Sequence, residues 1–507
     1  MREKNRDHNE LTGPPFQPGP SFQPEQTKGQ DSQDSKPSQL IQVFRLRDLA
    51  GLSISGVGPL FSVAATAGLF AAKAGDYSLI SIGIVAIPLL CCAFVLRFLN
   101  QKFPNAGASY HWTRIVLGQR ASLLQAAVLA FGYFLSLPAI IVPAASYTLA
   151  LIAPHLESSS LAELVTGTCW LGVALIALLV GARPIAWAVK LFIAIEGLSL
   201  LTIFILGIIH LHSHGVSQVA SQHLQAAVSI KTAGFTLPLA GIIITAIMAA
   251  PILDGWEVDS YAAEESKSPR RDPGLGGIIG VGISVLVYLT VFPLLFSEVP
   301  RKILLGSTNP MLNWGSRLIP GSPSIILLPI ITSAGGVLML ISYILSRALF
   351  AMGRDKVLPK AFARLSARKI PNVAIIISLS AAFAVVSLEL FATSLSGFFA
   401  QLLSAAGFFL IAEFFIDTLV ALFVLRRDPS HAWLRRCTYL SALLLASLLV
   451  GFLIISPREV GSQVDFICMG LVVLAVLFAW GRKLRPRATT LVFVPETKTL
   501  ESHDVAV

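Results

Sequence analysis

From about residue 46 onward the chain alternates between runs of roughly twenty apolar residues and short polar connections. Twelve runs can be distinguished. Five lie over roughly 48–72, 78–97, 121–152, 161–181 and 184–209, and five more over 236–262, 275–297, 323–350, 373–393 and 396–425. Two follow at 437–456 and 463–481. A bilayer core about 30 Å thick needs ~20 apolar residues per crossing helix. The pattern therefore predicts an all-α polytopic membrane protein with 12 transmembrane helices. Residues 1–45 and 482–507 are polar, and the first of these stretches is rich in Gln, Pro and Ser. Neither can bury enough apolar surface to offset the entropy of ordering, so both read as disordered tails. No apolar stretch of signal-peptide type opens the chain.

Two of the runs are poorly suited to be simple helices. The first contains Gly51-Leu52-Ser53-Ile54-Ser55-Gly56-Val57-Gly58-Pro59, and the sixth contains Ala250-Pro251-Ile252-Leu253-Asp254-Gly255-Trp256-Glu257. Glycine adds backbone entropy and proline removes a donor, so both runs are expected to break. Runs one and six are five apart and so hold matching places in two halves of five. Interrupted segments at matching positions point to an inverted-repeat transporter with a binding site near the midplane. The alternative is a pair of kinked helices with no ligand, tolerated because neighbours satisfy the freed backbone. The implied organisation is a first repeat over 46–213, a second over 236–425, and helices 11 and 12 over 437–481.

Composition removes the soluble alternatives. The chain is 54% hydrophobic and only 13% charged, with mean hydropathy +0.74, against roughly 25% charge in soluble domains. The net charge of +10 could suggest nucleic acid, but the positions of the basic residues explain it otherwise. With the N-terminus cytoplasmic, only Lys73, Lys231, Arg301, Lys302, Arg317 and Arg458, of 38 Lys and Arg, fall outside. The positive-inside rule asks for that asymmetry, so both termini are expected in the cytoplasm and the chain in the cell membrane. Cys91, Cys92, Cys169, Cys437 and Cys468 lie in or beside apolar runs without a CxxC spacing, so neither a zinc site nor a disulfide framework is indicated. Gly51 and Gly56 have the opening of a phosphate loop but lack the Lys-Ser/Thr that would hold phosphate. His210, His212 and His214 alternate at the end of run five and read as an exposed polar turn. No metal or cofactor is expected.

Three further stretches carry a resemblance. Phe103-Pro104-Asn105-Ala106-Gly107-Ala108-Ser109-Tyr110-His111-Trp112, closing at Gly118, resembles the loop after helix two of amino acid–polyamine–organocation (APC) permeases. Ser346-Arg347-Ala348-Leu349-Phe350-Ala351-Met352-Gly353-Arg354-Asp355, with Leu358-Pro359-Lys360 and Ile370-Pro371-Asn372, resembles their loop after helix eight. Gly255-Trp256-Glu257, with Glu264-Glu265 and Ser268-Pro269-Arg270-Arg271, resembles their sixth helix and its exit. The matches fall in order over roughly 46–481. They depart from the family at Gly107-Ala108, where Gly-Gly is frequent, and at Gly58-Pro59. The resemblance implies the leucine-transporter-like fold: a 5+5 inverted repeat with helices 1 and 6 broken, plus two peripheral helices. It also implies a secondary active transporter of amino acids working by alternating access, and not an enzyme. Polyamine or organic amine transport, or amine exchange, is the runner-up. A non-transporting amine receptor is the rival from another class, and the tails look too short to hold its output domain.

A broken membrane helix frees backbone groups, each costing several kcal/mol in hydrocarbon unless satisfied. An amino acid offers both complements. Its carboxylate suits N–H groups at the half-helix N-terminus after Gly56 and Gly58, where the dipole is positive, and its ammonium suits carbonyls near Leu253. The family uses the two breaks in this way. The expected substrate contacts are Ser55, Gly56, Val57, Gly58, Ile252, Asp254, Gly255 and Trp256, with hydroxyls from Tyr133 and Tyr343; Tyr147 lies too near the outer end. Asp254 fits either a counter-ion for a substrate amine or an N-cap of the following half-helix. Trp256 fits a thin gate or packing on helix ten.

A carboxylate at a helix centre costs roughly 2.5–3.5 kcal/mol on insertion scales, so acids in apolar runs are functional candidates. Glu196, Glu257, Glu413 and Asp417 are the proton-coupling candidates. Glu196 falls where some proton-coupled relatives carry a lysine. Glu257 reads equally as a structural or gating hydrogen bond. Glu413 and Asp417, four apart on helix ten, share one face. Thr332, Ser333, Ser342 and Ser346 on helix eight leave sodium as an alternative coupling ion.

Overall fold

In hydrocarbon a backbone can satisfy its N–H and C=O groups only within its own segment, so each apolar run has to close on itself as a helix. The computed structural model, which describes residues 40–157, 159–214, 238–306, 309–392, 394–426 and 429–481, has that character throughout. The first half comprises α1 (Leu46–Val57), α2 (Pro59–Lys73), α3 (Ser78–Lys102), α4 (Ala108–Val116), α5 (Gln119–Ile152), α6 (Ser160–Val180) and α7 (Ala182–His214). The second comprises α8 (Leu239–Ala249), α9 (Val258–Tyr261), α10 (Leu275–Glu298), α11 (Arg301–Gly306), α12 (Pro310–Leu318), α13 (Leu327–Arg354), α14 (Asn372–Val386), α15 (Leu395–Leu425), α16 (Ala432–Ser456) and α17 (Ser462–Gly481). Among the described residues, ten helical stretches are long and apolar enough to cross a membrane. The last of them, Ala432–Gly481, contains both α16 and α17, joined through a π-helical turn at Pro457–Gly461. The shorter α8 covers the front of the sixth run.

Burial divides these helices into a centre and a periphery. Of the most apolar eighteen residues in each, 78% are buried in the α1–α2 stretch and in α5, against 28% in α6 and 17% in α7. Outer helices expose large apolar side chains such as Trp187, Leu198 and Phe466, which only lipid can cover without cost. α5 packs against both α13 and α15, and α1 packs against α10 and α13. The two interrupted runs thus stand in the interior.

Both interruptions exist, but the first is narrower than its composition suggests. Residues 46–57 stay helical through Gly51 and Gly56. The break is confined to Gly58, at φ +51°, whose N–H donates to Ile54 O (3.1 Å) and ends α1. A left-handed glycine is the usual C-terminal stop. Pro59 then opens α2 at a position that needs no donor and a φ that proline already has. The expected unwinding over Gly51–Pro59 is therefore replaced by a one-residue turn. The second interruption is wider: α8 ends at Ala249 and no regular helix resumes before Val258, with Gly255 at φ +94°.

The expected N-terminal tail runs to residue 45, yet residues 40–45 are held in place. Phe44 is fully buried and forms a parallel bridge with Ser266; the Val43 N–H donates to Glu265 O (2.8 Å) and the Lys267 N–H to Phe44 O (2.8 Å). Residues 1–39 and 482–507, expected as tails, lie outside the described residues.

Candidate functional site

The two breaks touch. A Cβ placed on Gly56 would lie 2.4 Å from the carbonyl oxygen of Gly255, and one placed on Gly255 would lie 2.4 Å from Gly56 O. Glycine is thus used at both positions for backbone-to-backbone contact. Gly58 is pressed against the side chain of Val337 on α13. Ser55 faces Gly336 on that helix, where a Cβ would come 2.6 Å from its hydroxyl oxygen.

The first-turn amides of α2 are the donors that a helix start leaves free. Here a side chain from α7 claims them. Glu196, 3% exposed, accepts at Oε1 from the Leu60 N–H (2.9 Å) and from the Ser333 hydroxyl (2.8 Å). Ser333 in turn accepts from the Phe61 N–H (3.4 Å). One carboxyl therefore ties α7 to the start of α2 and to α13. The Val57 carbonyl, the last of α1, accepts from the Ser62 hydroxyl (2.9 Å).

At the second break Glu257 folds back to accept the Gly255 N–H at Oε2 (3.0 Å), while its Oε1 accepts from the Tyr133 hydroxyl (2.8 Å). The Ile252 carbonyl accepts from the Tyr288 hydroxyl. Asp254, 2% exposed, stands against the Glu257 carboxyl and the Gly255 backbone, with Glu413 a further charged neighbour. Asp254 does not cap the following helix: α9 has Glu257 at its N-cap, with no side-chain cap bond. Trp256 is fully buried and stacks on Phe414 of α15, with ring centroids 5.5 Å apart and planes 11° off parallel. Along α15, Glu413 accepts from the Tyr261 hydroxyl (2.9 Å) and Asp417 from the Ser109 hydroxyl (2.6 Å). Tyr261 also reaches Ser109 (3.4 Å), so these groups form one chain of hydroxyls and carboxyls.

The family-like stretches converge further along. Arg354 makes two hydrogen bonds to Glu264 (2.7 and 2.9 Å) and one to Asn105 (3.1 Å), and Glu264 also accepts the Ala106 N–H (3.0 Å). Asn105, Glu264 and Arg354 come one from each stretch. Burial alone would raise the Glu264 carboxyl, but the Arg354 hydrogen bonds and charge outweigh it and hold it below the usual carboxylate range. Burial pushes the neighbouring His111 down to about 4, so it stays neutral at pH 7.

The amino acid permease family model matches residues 44–478. The chain belongs to that family, within the APC superfamily. No curated protein matches it. The permease is thus a multi-pass membrane transporter of amino acids or amines.

A small cavity beside the breaks is lined by α2 (Phe61, Ser62, Thr66), α5 (Ser136) and α13 (Val337, Ile341), among others. Of the expected substrate contacts only Ile252 reaches its wall. Gly56, Gly58 and Gly255 are spent on helix contact, Trp256 on α15 and Tyr133 on Glu257. Tyr343 does not line the cavity: its hydroxyl donates to Glu265 (2.8 Å) and its ring lies 3.8 Å from the Arg347 guanidinium. Tyr147 donates to Ala64 O on α2 (2.7 Å). His210 pairs with Glu298 (3.5 Å), His212 is exposed, and the His214 side chain lies outside the described residues. Among the described residues no group of three His, Cys, Asp or Glu could hold a metal.

Sequence reasoning passed over Asp259, although it lies inside the sixth run. Its Oδ2 accepts the Gly274 and Gly277 N–H groups at 2.7 Å each, tying α9 to the start of α10. It also passed over Ser62, Thr66 and Ser136, whose place on the cavity wall depends on helix rotation.

Proposed function

We propose that this permease is a secondary active transporter in the cell membrane that moves amino acids or related amines by alternating access, driven by protons. Twelve helices, a 5+5 inverted repeat and two cytoplasmic termini complete the reading. The observation that supports proton coupling is the position of Glu196. It bridges α2, α7 and α13 at the first break, so gaining or losing one proton changes a hydrogen-bonded junction between three helices. Such a junction is a two-state element that substrate binding can bias.

Sodium is the alternative coupling ion, because the helix-eight hydroxyls keep the oxygen lone pairs that such an ion takes even where their protons are donated. Thr332, Ser342 and Ser346 donate to carbonyls of their own helix, and Ser333 donates to Glu196. Glu413 and Asp417 are the second coupling candidates, through their chain to Ser109 and Tyr261.

The test is uptake into proteoliposomes with and without an inward proton gradient, for the parent and Glu196→Gln. Glutamine keeps a carbonyl for Leu60 and Ser333, so the fold survives while the titrating proton is lost. The parent should accumulate substrate only with the gradient, and the variant should exchange without accumulating. Equal gradient-driven accumulation by both removes Glu196 from coupling. Counterflow by the parent also excludes a receptor that binds without transport.

A further inference from the structure

We infer that Cys91 and Cys437 are a redox pair: a hydroperoxide joins them in a disulfide that clamps α3 to α16, and a dithiol reductant releases it. Neither residue belongs to the site described above. The pairing therefore stands apart from the transport reading, and only its effect on uptake rests on that reading.

The two helices pack on each other, and their contacts run in antiparallel register. Going along α3, the Pro88 carbonyl accepts from the Ser441 hydroxyl (2.9 Å), and the Phe94 ring meets Trp433 edge-on with centroids 5.4 Å apart. Phe98 then meets His431, with ring centroids 5.3 Å apart. Each step along α3 is matched by a step back along α16. Cys91 lies between Pro88 and Phe94, and Cys437 lies between Ser441 and Trp433. The register thus sets the two cysteines opposite each other, and their thiols are within hydrogen-bonding reach. Both are free and half-buried. The adjacent Cys92 points inward instead, fully buried, with its sulfur 3.1 Å from the Ser441 hydroxyl oxygen. Cys169 and Cys468 stand on other helices, α6 and α17.

A bridge needs the thiols in contact and their helices close, and packed helices in register supply both. Around the pair, Phe94, Trp433, Tyr439 and Leu440 are exposed, so this face meets lipid and whatever hydroperoxide is dissolved in it. One thiolate attacks the peroxide and breaks its O–O bond, giving a sulfenic acid and an alcohol. The second thiol attacks the sulfenic sulfur; the S–S bond forms, the S–O bond breaks, and the hydroxide leaves as water with the thiol proton. One electron leaves each sulfur for the peroxide. Attack needs the thiolate, and the half-buried setting slows it, so the pair answers to sustained oxidation. α3 is tied to the second break, since it packs on α8 and α10 and its Asn100 donates to the Ser260 hydroxyl on α9 (2.7 Å). α16 packs on α15 as well as on α3 and α8. Ring contacts and single hydrogen bonds let such helices slide, and a covalent bond does not. The clamp therefore slows a cycle in which the broken helices rock against the others.

The test treats the purified full chain in proteoliposomes with cumene hydroperoxide, then alkylates and digests it. Mass spectrometry should find a peptide linked through Cys91 and Cys437, and dithiothreitol should remove it. Cys91→Ser and Cys437→Ser should each abolish the link, and Cys92→Ser should keep it. Oxidation should raise the thermal midpoint of the parent by several degrees, because the bond closes a long loop in the unfolded chain. It should also slow gradient-driven uptake severalfold. Dithiothreitol should reverse both changes, and Cys437→Ser should show neither. No linked peptide, or one that persists in Cys91→Ser, overturns the inference. A linked peptide with an unchanged midpoint overturns the clamp, and a raised midpoint with undiminished uptake overturns its control of transport. A reduced parent that takes up no substrate overturns the transport reading alone, because the linked peptide and the midpoint are read without substrate.

Discussion

Replacing Gly56 by alanine is the sharpest perturbation of the contact between the two breaks. The added methyl would sit 2.4 Å from the Gly255 carbonyl oxygen, about 1 Å short of ordinary contact at 3.4 Å. That oxygen is backbone and cannot rotate away, so α1 and the 250–257 segment must part. Overpacking of this kind costs about 1–3 kcal/mol, a sizeable fraction of a typical 5–15 kcal/mol total stability. Moving the breaks apart also shifts the junction held by Glu196, so uptake should fall more steeply than stability. The assay is thermal inactivation of detergent-solubilised protein alongside initial uptake rate. Gly83→Ala is the control: a Cβ there meets nothing within 4 Å, and alanine favours a helix by about 1 kcal/mol. Gly56→Ala with the control's stability and undiminished uptake would refute close contact of the breaks in the functional cycle.

Arg347 and Glu265 form a buried ion pair at 3.0 Å, with side chains 1% and 3% exposed. Removing one partner, as in Glu265→Ala, should cost about 3–5 kcal/mol of stability, whereas the double change Arg347→Met with Glu265→Leu should recover most of it. Thermal midpoints of the three variants decide this, and a double variant no better than the single would contradict it. Ala108 sits at φ +34°, in the left-handed region that favours glycine. Ala108→Gly should therefore stabilise by about 1 kcal/mol, read as a raised inactivation temperature. Acid should loosen the Glu264–Arg354 region. Folded His111 titrates near 4 instead of its ordinary 6.5, so the unfolded chain takes up the proton first as pH drops. The stability contribution present above about 6.5 is lost towards 4, by at most about 1.4 kcal/mol per pH unit. Glu264, held below 4.5, adds a loss of the same sign at lower pH. His111→Gln should flatten the dependence of the thermal midpoint on pH between 7 and 5; an unchanged slope would contradict the assignment.

The bilayer makes much of this fold readable, because an apolar run of sufficient length has few structural options besides a helix. The family-like stretches were readable too, and Asn105 and Glu264 turn out to be joined through Arg354. What could not be read is register and reach. Tyr343 follows the cavity-lining Ile341 by two residues, about 200° round the helix, and its hydroxyl turns to Glu265. Its hydroxyl type suited a ligand, and the direction in which the helix points it could not be read. Glu196 could be singled out as an acid in an apolar run, but its partners Leu60 and Ser333 lie 136 and 137 residues away. Local pattern carries no trace of such pairings. The width of each break was equally hidden, since Gly51 and Gly56 serve packing within a continuous helix and only Gly58 turns the chain.

The acids at the two breaks differ in what the fold asks of them. Glu196 satisfies the start of α2, and Glu257 satisfies Gly255 and Tyr133, so each lowers the cost of an interrupted helix as well as bearing its own. Replacing either with its amide leaves much of that work intact, because a carbonyl oxygen can still accept. Asp254 is as deeply buried as the others and stands against the Glu257 carboxyl and the Gly255 backbone. The second break is thus held by two neighbouring carboxyls, so a change at Asp254 also bears on Glu257 and on the Gly255 turn that Glu257 holds.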